Sequence, residues 1–187
     1  MKRKIADVCM TVVLWMLALC LCSVSALISP LYFAYAGTFA PIVFAFVWLY
    51  GAKNMRCFGL ALILNGTLAL GLLAAGEANI QMIGYLLGLA AFSELLRHFY
   101  GYDTDKGIRT SFLPMGFTFY AYSSHWWTNT PGSLLAALEK MPQGYAAEME
   151  KIIENVPMLL VMLTLTVPIT IIAITYALKL MPTGAKE

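Results

Sequence analysis

Three short groups of residues combine rings with hydrogen-bonding side chains. Tyr120, Tyr122, His125, Trp126, Trp127 and Asn129 form the richest group, Tyr32 and Tyr35 a second, and Asn79 and Gln81 a third. Each group stands at the end of an apolar run. Rings supply apolar contact at little entropic cost, while amides and an imidazole satisfy a ligand's hydrogen bonds. Aromatic walls with a few placed polar groups are what a small-molecule pocket needs. A membrane-interface belt also collects Trp and Tyr, but it does not account for the His, Asn and Gln beside them. All ten residues are therefore candidate substrate contacts.

Catalysis is much less well supplied. Ser123 and Ser124 precede His125, but successive positions on a helix do not face one another. His98 is the only other histidine, and neither HxxxH nor HExxH occurs. Neither GxxxxGK[ST] nor GxGxxG is present, so nothing in the chain is built to cradle a nucleotide. Cys9, Cys20, Cys22 and Cys57 contain no CxxC and lie in or beside apolar runs, as small apolar residues do. The expectation is a non-catalytic chain without metal or cofactor. Glu94, Arg97 and His98 form a separate charged cluster. Glu94 and Arg97 are three residues apart on one helix face, which suits a structural ion pair; a proton or substrate relay is the alternative for an ionisable residue inside a span.

The elements that carry these groups follow from composition. The chain has 187 residues, 60% hydrophobic and 12% charged, with a mean hydropathy of +0.76. A soluble domain carries about 25% charged residues, and a formal charge of +2 gives no reason to expect nucleic acid. With roughly 20 apolar residues per crossing, the sequence predicts one polytopic all-α membrane domain over residues 1–187. It predicts six transmembrane helices, at about 6–28, 31–51, 57–75, 80–96, 110–127 and 156–180. Pro114 and Gly116 interrupt the fifth. Met1-Lys2-Arg3-Lys4 ahead of an apolar run imitates a signal peptide, but the run continues to Ile28, long enough to span, and is expected to stay as the first helix.

Basic residues set the expected orientation. With the N-terminus inside, Lys2, Arg3, Lys4, Lys53, Arg56, Arg97, Lys106, Arg109, Lys179 and Lys186 are inside, against Lys140 and Lys151 outside. Both termini are then cytoplasmic. The long loop 128–155 is outside, with a stripe at Leu134, Leu138, Met141, Tyr145, Met149 and Ile152 broken by Pro142 and Gly144. Two short amphipathic helices are expected there, as a lid over a pocket or as interfacial helices. Gly84 and Gly88, and Ala173 and Ala177, place small residues one turn apart, a spacing that serves close helix packing.

The run Pro30-Leu31-Tyr32-Phe33-Ala34-Tyr35-Ala36-Gly37-Thr38-Phe39-Ala40-Pro41 carries a resemblance. So do Gly59, the stretch Gly88-Leu89-Ala90-Ala91-Phe92-Ser93-Glu94-Leu95-Leu96, Gly101-Tyr102 and Tyr145-Ala146-Ala147. With these, the chain resembles the S components of energy-coupling factor (ECF) transporters, in the Trep_Strep (MptD-type) branch. The resemblance implies a subunit that captures a small nutrient at the outer face of a prokaryotic cytoplasmic membrane. A transmembrane T component and two cytoplasmic ATPases would be its partners. In that family the loops between helices one and two and between five and six help to cover the pocket. The AxxxA pattern of the first helix is missing here, since Met10 follows Ala6 by four positions. Docking of the T component is therefore expected through Ala173 and Ala177, or through other small residues. The rival readings are a structural subunit without a ligand and an intramembrane enzyme using Glu94 or His125.

Overall fold

The computed structural model describes residues 2–181, with side chains described from Ile5 onward. Lys186 and the side chains of Lys2, Arg3 and Lys4, which support the expected orientation, lie outside the described residues. The chain is all-helical over this range. Helix α1 (Lys2–Ser23) ends in a tight 3-10 turn, Val24–Leu27. It is followed by α2 (Pro30–Asn54), α3 (Leu60–Ala74), α4 (Ile80–Tyr100), α5 (Asp105–Met115), α6 (Thr118–Ser123), α7 (His125–Thr128), α8 (Thr130–Lys140), α9 (Tyr145–Glu154) and α10 (Val156–Leu180). Among the described residues, four helical stretches are long and apolar enough to cross a membrane: Ile5–Leu27, Pro30–Asn54, Ile80–Tyr100 and Val156–Leu180.

The third and fifth expected spans take a different form. Helix α3 is apolar but has 15 residues, about 22 Å at 1.5 Å per residue. The run expected as one helix over 110–127 is instead three short helices, α5 to α7. Pro114 and Gly116 mark the break: Gly116 N–H bonds Phe112 O and Phe117 N–H bonds Pro114 O, and a new helix starts at Thr118. The fourth span also runs further than expected, to Tyr100, so Arg97 lies inside a helix and not in a loop.

Helix starts follow local chemistry. Ser29 is extended, and its Oγ accepts from Leu31 N–H at 3.2 Å, with Pro30 at the first helical position. Asn79 caps α4, accepting from Met82 N–H at 2.7 Å, and Asn155 caps α10 through Met158 N–H at 3.1 Å. Helix α3 ends at Gly76, whose φ of 71° is left-handed. Glu77 N–H then reaches back to Leu72 O and Gly76 N–H to Leu73 O, the paired bonds of a Schellman end.

Helix α2 is the centre of the bundle, packed by α1, α5, α6, α9 and α10. Its Phe44 and Trp48 are fully buried, Phe44 against Trp15 of α1 at 4.6 Å and Trp48 against Phe112 of α5 at 6.2 Å. Its closest partner is α10, and each of the two carries an internal proline, Pro41 and Pro168. Thr38 Oγ1 donates to Met162 O of α10 at 3.2 Å and accepts from the Tyr120 hydroxyl of α6 at 2.6 Å. Gly37 admits that ring: a Cβ there would lie 2.5 Å from Tyr120 Cδ2. Asn65 of α3 makes a second cross-tie, donating to Leu86 O at 3.0 Å and accepting from Thr118 Oγ1 at 3.3 Å.

Glu94 and Arg97 are buried, and they work differently from the expected mutual pair. Glu94 Oε1 accepts from Ala61 N–H, in the first turn of α3, at 2.7 Å. Arg97 Nη2 donates to Ala52 O and Met55 O, where α2 ends, at 3.2 and 2.9 Å. Its guanidinium lies between the rings of Trp48 and Tyr102, 5.6 and 5.4 Å from their centroids. Each charge thus serves a helix end of the sign that favours it. His98 is exposed beside Phe99 and Tyr102. Replacing Arg97 strips these carbonyls of their donor, so Arg97→Met is expected to cost about 1–3 kcal/mol. Arg97→Lys should recover little, because an ammonium lacks the flat fork. Unfolding of purified variants in detergent, followed by circular dichroism, measures both.

Candidate functional site

A cavity of about 520 Å³ lies at the end of the bundle where α2 and α4 begin. Phe33 of α2 and Met82 of α4 stand in its wall, and Gly76 to Asn79 of the α3–α4 turn form one side. Tyr122, His125, Trp126 and Asn129 form a second side, and α8 contributes a third with Gly132, Ser133, Ala136, Ala137 and Lys140. The break in the fifth segment makes this possible. After Phe117 the chain restarts as two short helices, which turn His125 and Trp126 toward α8.

The aromatic wall is a connected set. Phe33 meets Trp126 edge-on at 6.5 Å and Phe119 at 5.7 Å, Phe119 meets Tyr122 at 5.5 Å, and His125 lies 5.1 Å from Trp126. Such edge-to-face contacts fix ring orientation. Ser133 Oγ lies 2.9 Å from His125 O, 3.0 Å from Asn129 O and 2.8 Å from His125 Nδ1. A hydroxyl has one proton. Given to a backbone carbonyl, that proton leaves Ser133 Oγ to accept from His125 Nδ1–H. The pair ties α8 to α7. Among the described residues, no group of three or more His, Cys, Asp or Glu could hold a metal ion.

One ion pair lies at the rim. Lys140 Nζ donates to Glu77 Oε1 at 2.6 Å, with both side chains more than half exposed. The hydrogen bond and the charge of Glu77 raise the Lys140 pKa above its ordinary value.

Five of the ten sequence-derived contacts line this cavity: Asn79, Tyr122, His125, Trp126 and Asn129. Tyr120 and Trp127 instead face an apolar groove of about 590 Å³ on the other side of α6 and α7, formed with Gly84, Gly88, Leu89, Phe117, Leu159 and Leu163. Tyr35 is buried in the core, and Tyr32 is 61% exposed. Gln81 is exposed and lines neither space. Ala173 and Ala177 correct another expectation. Both are buried in the chain's own core, so this stripe packs inside the chain and is not free to meet a partner. A Cβ at Gly84 or Gly88 would meet nothing within 4 Å, so these glycines border the groove instead of a tight helix contact.

Sequence reasoning misses Ser133, Ala136, Ala137, Lys140 and the role of Glu77. The signal lies in the 128–155 stripe, where the large residues draw the eye. Leu138 of that stripe is 69% exposed, whereas Leu134 and Met141 pack on the core and the small residues of α8 line the cavity.

An all-helical chain with long apolar helices and a polar-aromatic cavity near one end defines a bacterial integral membrane protein when set beside the family comparison. The model of the Trep_Strep family, described as a hypothetical bacterial integral membrane protein, matches residues 3–182, and the chain belongs to that family. Comparison with curated proteins finds no match. Comparison with solved structures finds none either.

The close fit of Tyr120 over Gly37 gives a graded test. Tyr120→Phe removes one hydrogen bond and should cost about 1 kcal/mol. Gly37→Ala forces the ring away and should cost more, roughly 1–3 kcal/mol. Thermal unfolding of the two variants in the same detergent gives the order; equal stabilities would contradict the close approach.

Proposed function

We propose that the chain is the substrate-binding subunit, an S component, of an ATP-driven importer of the ECF type. It would capture a small nutrient at the outer face of a bacterial cytoplasmic membrane. The observation that carries this reading is the cavity at the Asn79 end of the bundle. Its volume lies in the range of small-molecule sites, and its walls join rings to a few fixed polar groups. Inward placement of Trp126 and Tyr122 favours a ligand site over an aromatic belt.

On this reading α3 and the broken α5–α7 segment complete six crossings, with both termini cytoplasmic. The α8–α9 stretch then lies outside. The chain itself holds no ATPase motif, so a transmembrane T component and two cytoplasmic ATPases would supply the energy. Differential binding of that assembly would bias two orientations of the bundle. The open groove beside Gly84 and Gly88 favours a second reading, an assembly subunit that meets another membrane helix and carries no ligand of its own.

Native mass spectrometry of the purified protein separates the two. The expected result is a stoichiometric small molecule, lost in Trp126→Ala and weakened in Asn129→Ala, with T and ATPase subunits co-purifying. Asn129 is exposed, so its variant keeps the test valid if Trp126→Ala fails to fold. A chain that binds other membrane subunits but no small molecule under any growth condition would overturn the capture reading.

A further inference from the structure

We propose that the groove on the far side of α6 and α7 is a lipid site, filled by one acyl chain of a phospholipid from the adjoining leaflet. The inference rests on the chain being a membrane protein, and it holds whether or not the cavity takes a ligand.

Small residues make the groove. Gly84 and Gly88 stand one turn apart on α4, and a Cβ on either would meet nothing within 4 Å. Phe117, Ala121 and Ser124 recur at steps of four and three, so one face of α6 and its flanks forms the floor. Leu159 and Leu163 of α10 form the opposite wall. The result is a trough of about 590 Å³ whose lining residues carry no formal charge. Both of its walls belong to helices long and apolar enough to cross a membrane, so it lies against lipid.

Polarity and depth identify the occupant. At the mouth are the hydroxyls of Ser124 and Thr128 with the rings of Tyr85 and Trp127, and Tyr and Trp settle at headgroup level. Further in, the lining is apolar. Leu89 lies nine residues past the start of α4 and Leu163 seven past the start of α10, about 14 and 11 Å at 1.5 Å per residue. One leaflet supplies about 15 Å of hydrocarbon. On the same face of α4, Gly84 and Gly88 are followed by Phe92 and Leu95, both exposed, so the trough ends near mid-membrane. A membrane-crossing helix, the occupant that the assembly reading needs, is about 10–12 Å wide and would strike Phe92. An acyl chain needs only the one leaflet, with its polar end at the mouth.

Hydrophobicity does not select this position, because surrounding lipid is as apolar as the trough. Fit does: an unfilled trough forfeits dispersion contacts along its lining. The chain would also lie directly behind the cavity. Helices α6 and α7 turn Ala121 and Trp127 to the groove and Tyr122 and Trp126 to the cavity.

The test uses the full-length chain in vesicles of phosphatidylethanolamine and phosphatidylglycerol with a trace of phospholipid carrying a diazirine midway along one acyl chain. After photolysis, peptide mass spectrometry locates the crosslinks. They should concentrate on Phe117, Ala121 and Leu163 and exceed those on Leu160 and Ile172, which are exposed on α10. Gly84→Leu with Gly88→Leu fills the trough and should abolish that concentration, leaving Leu160 and Ile172 labelled as before. Native mass spectrometry in detergent should show one retained phospholipid, lost in the double variant. The crosslink map of the unaltered chain needs no substitution, so it decides the matter even where the double variant fails to fold. Even labelling of groove and exposed face, a phospholipid still retained in the folded double variant, or a groove covered by a co-purifying membrane protein with no lipid bound would overturn the proposal.

Discussion

A backbone terminus in a dry interior must find a partner, and the α2–α3 connection is organised around that constraint. At Ala52, Leu60 and Ala61, which are buried, an unpaired carbonyl or amide costs about 1–3 kcal/mol. Helix α3 begins at the level of Glu94, six residues before the end of α4, which is about 9 Å short of it. The connection itself keeps Asn54, Arg56, Cys57 and Phe58 exposed, while the carbonyls that end α2 and the amide of Ala61 that opens α3 need partners. Arg97 and Glu94, one turn apart on α4, answer both sets. The short α3 is possible because of them, and the turn at its far end, which carries Glu77, takes its height from the same arrangement.

The cavity follows from a second departure from regular spans. An unbroken fifth helix would have filled the end of the bundle with its own side chains. Breaking it at Pro114 and Gly116 lets the chain turn at Ser124 and run across, and the rings of Tyr122 and Trp126 become a wall. Tyr120, on the same short helix, goes the other way into a hydrogen bond with Thr38. One segment therefore supplies the cavity on one side, a core contact at its base and the groove on its far side.

Much of this architecture is legible in the amino-acid sequence. Long apolar runs give the helices, and Ser29, Asn79 and Asn155 announce where three of them start. The polar companions of the aromatic clusters point to the right end of the bundle, and five of the ten candidate residues line one space. Periodicity does not show which face of α8 turns inward: Leu134 packs on the core while Leu135 and Leu138 are exposed, and the small residues between them line the cavity. Spacing alone suggests that Glu94 and Arg97 pair with each other; the charge of Glu94 does act on Arg97, but their hydrogen bonds go to backbone groups, which leave no trace in a side-chain pattern. The alanine pair of α10 fails as a docking signal for a related reason. Small residues one turn apart report a close neighbour, and here α10 packs on α2 and α5 of the same chain.

The prolines of α2 and α10 have a mechanical consequence. Each deletes one backbone hydrogen bond near the middle of its helix, at Gly37 O and at Thr164 O. Thr38 beside Met162 sets the two helices in parallel register, so Pro41 and Pro168 lie within about one turn of the same depth. The two helices that hold each other most extensively are therefore weakest against bending at a shared level. A load on the bundle would flex both together there, keeping their contact while the ends tilt as rigid rods.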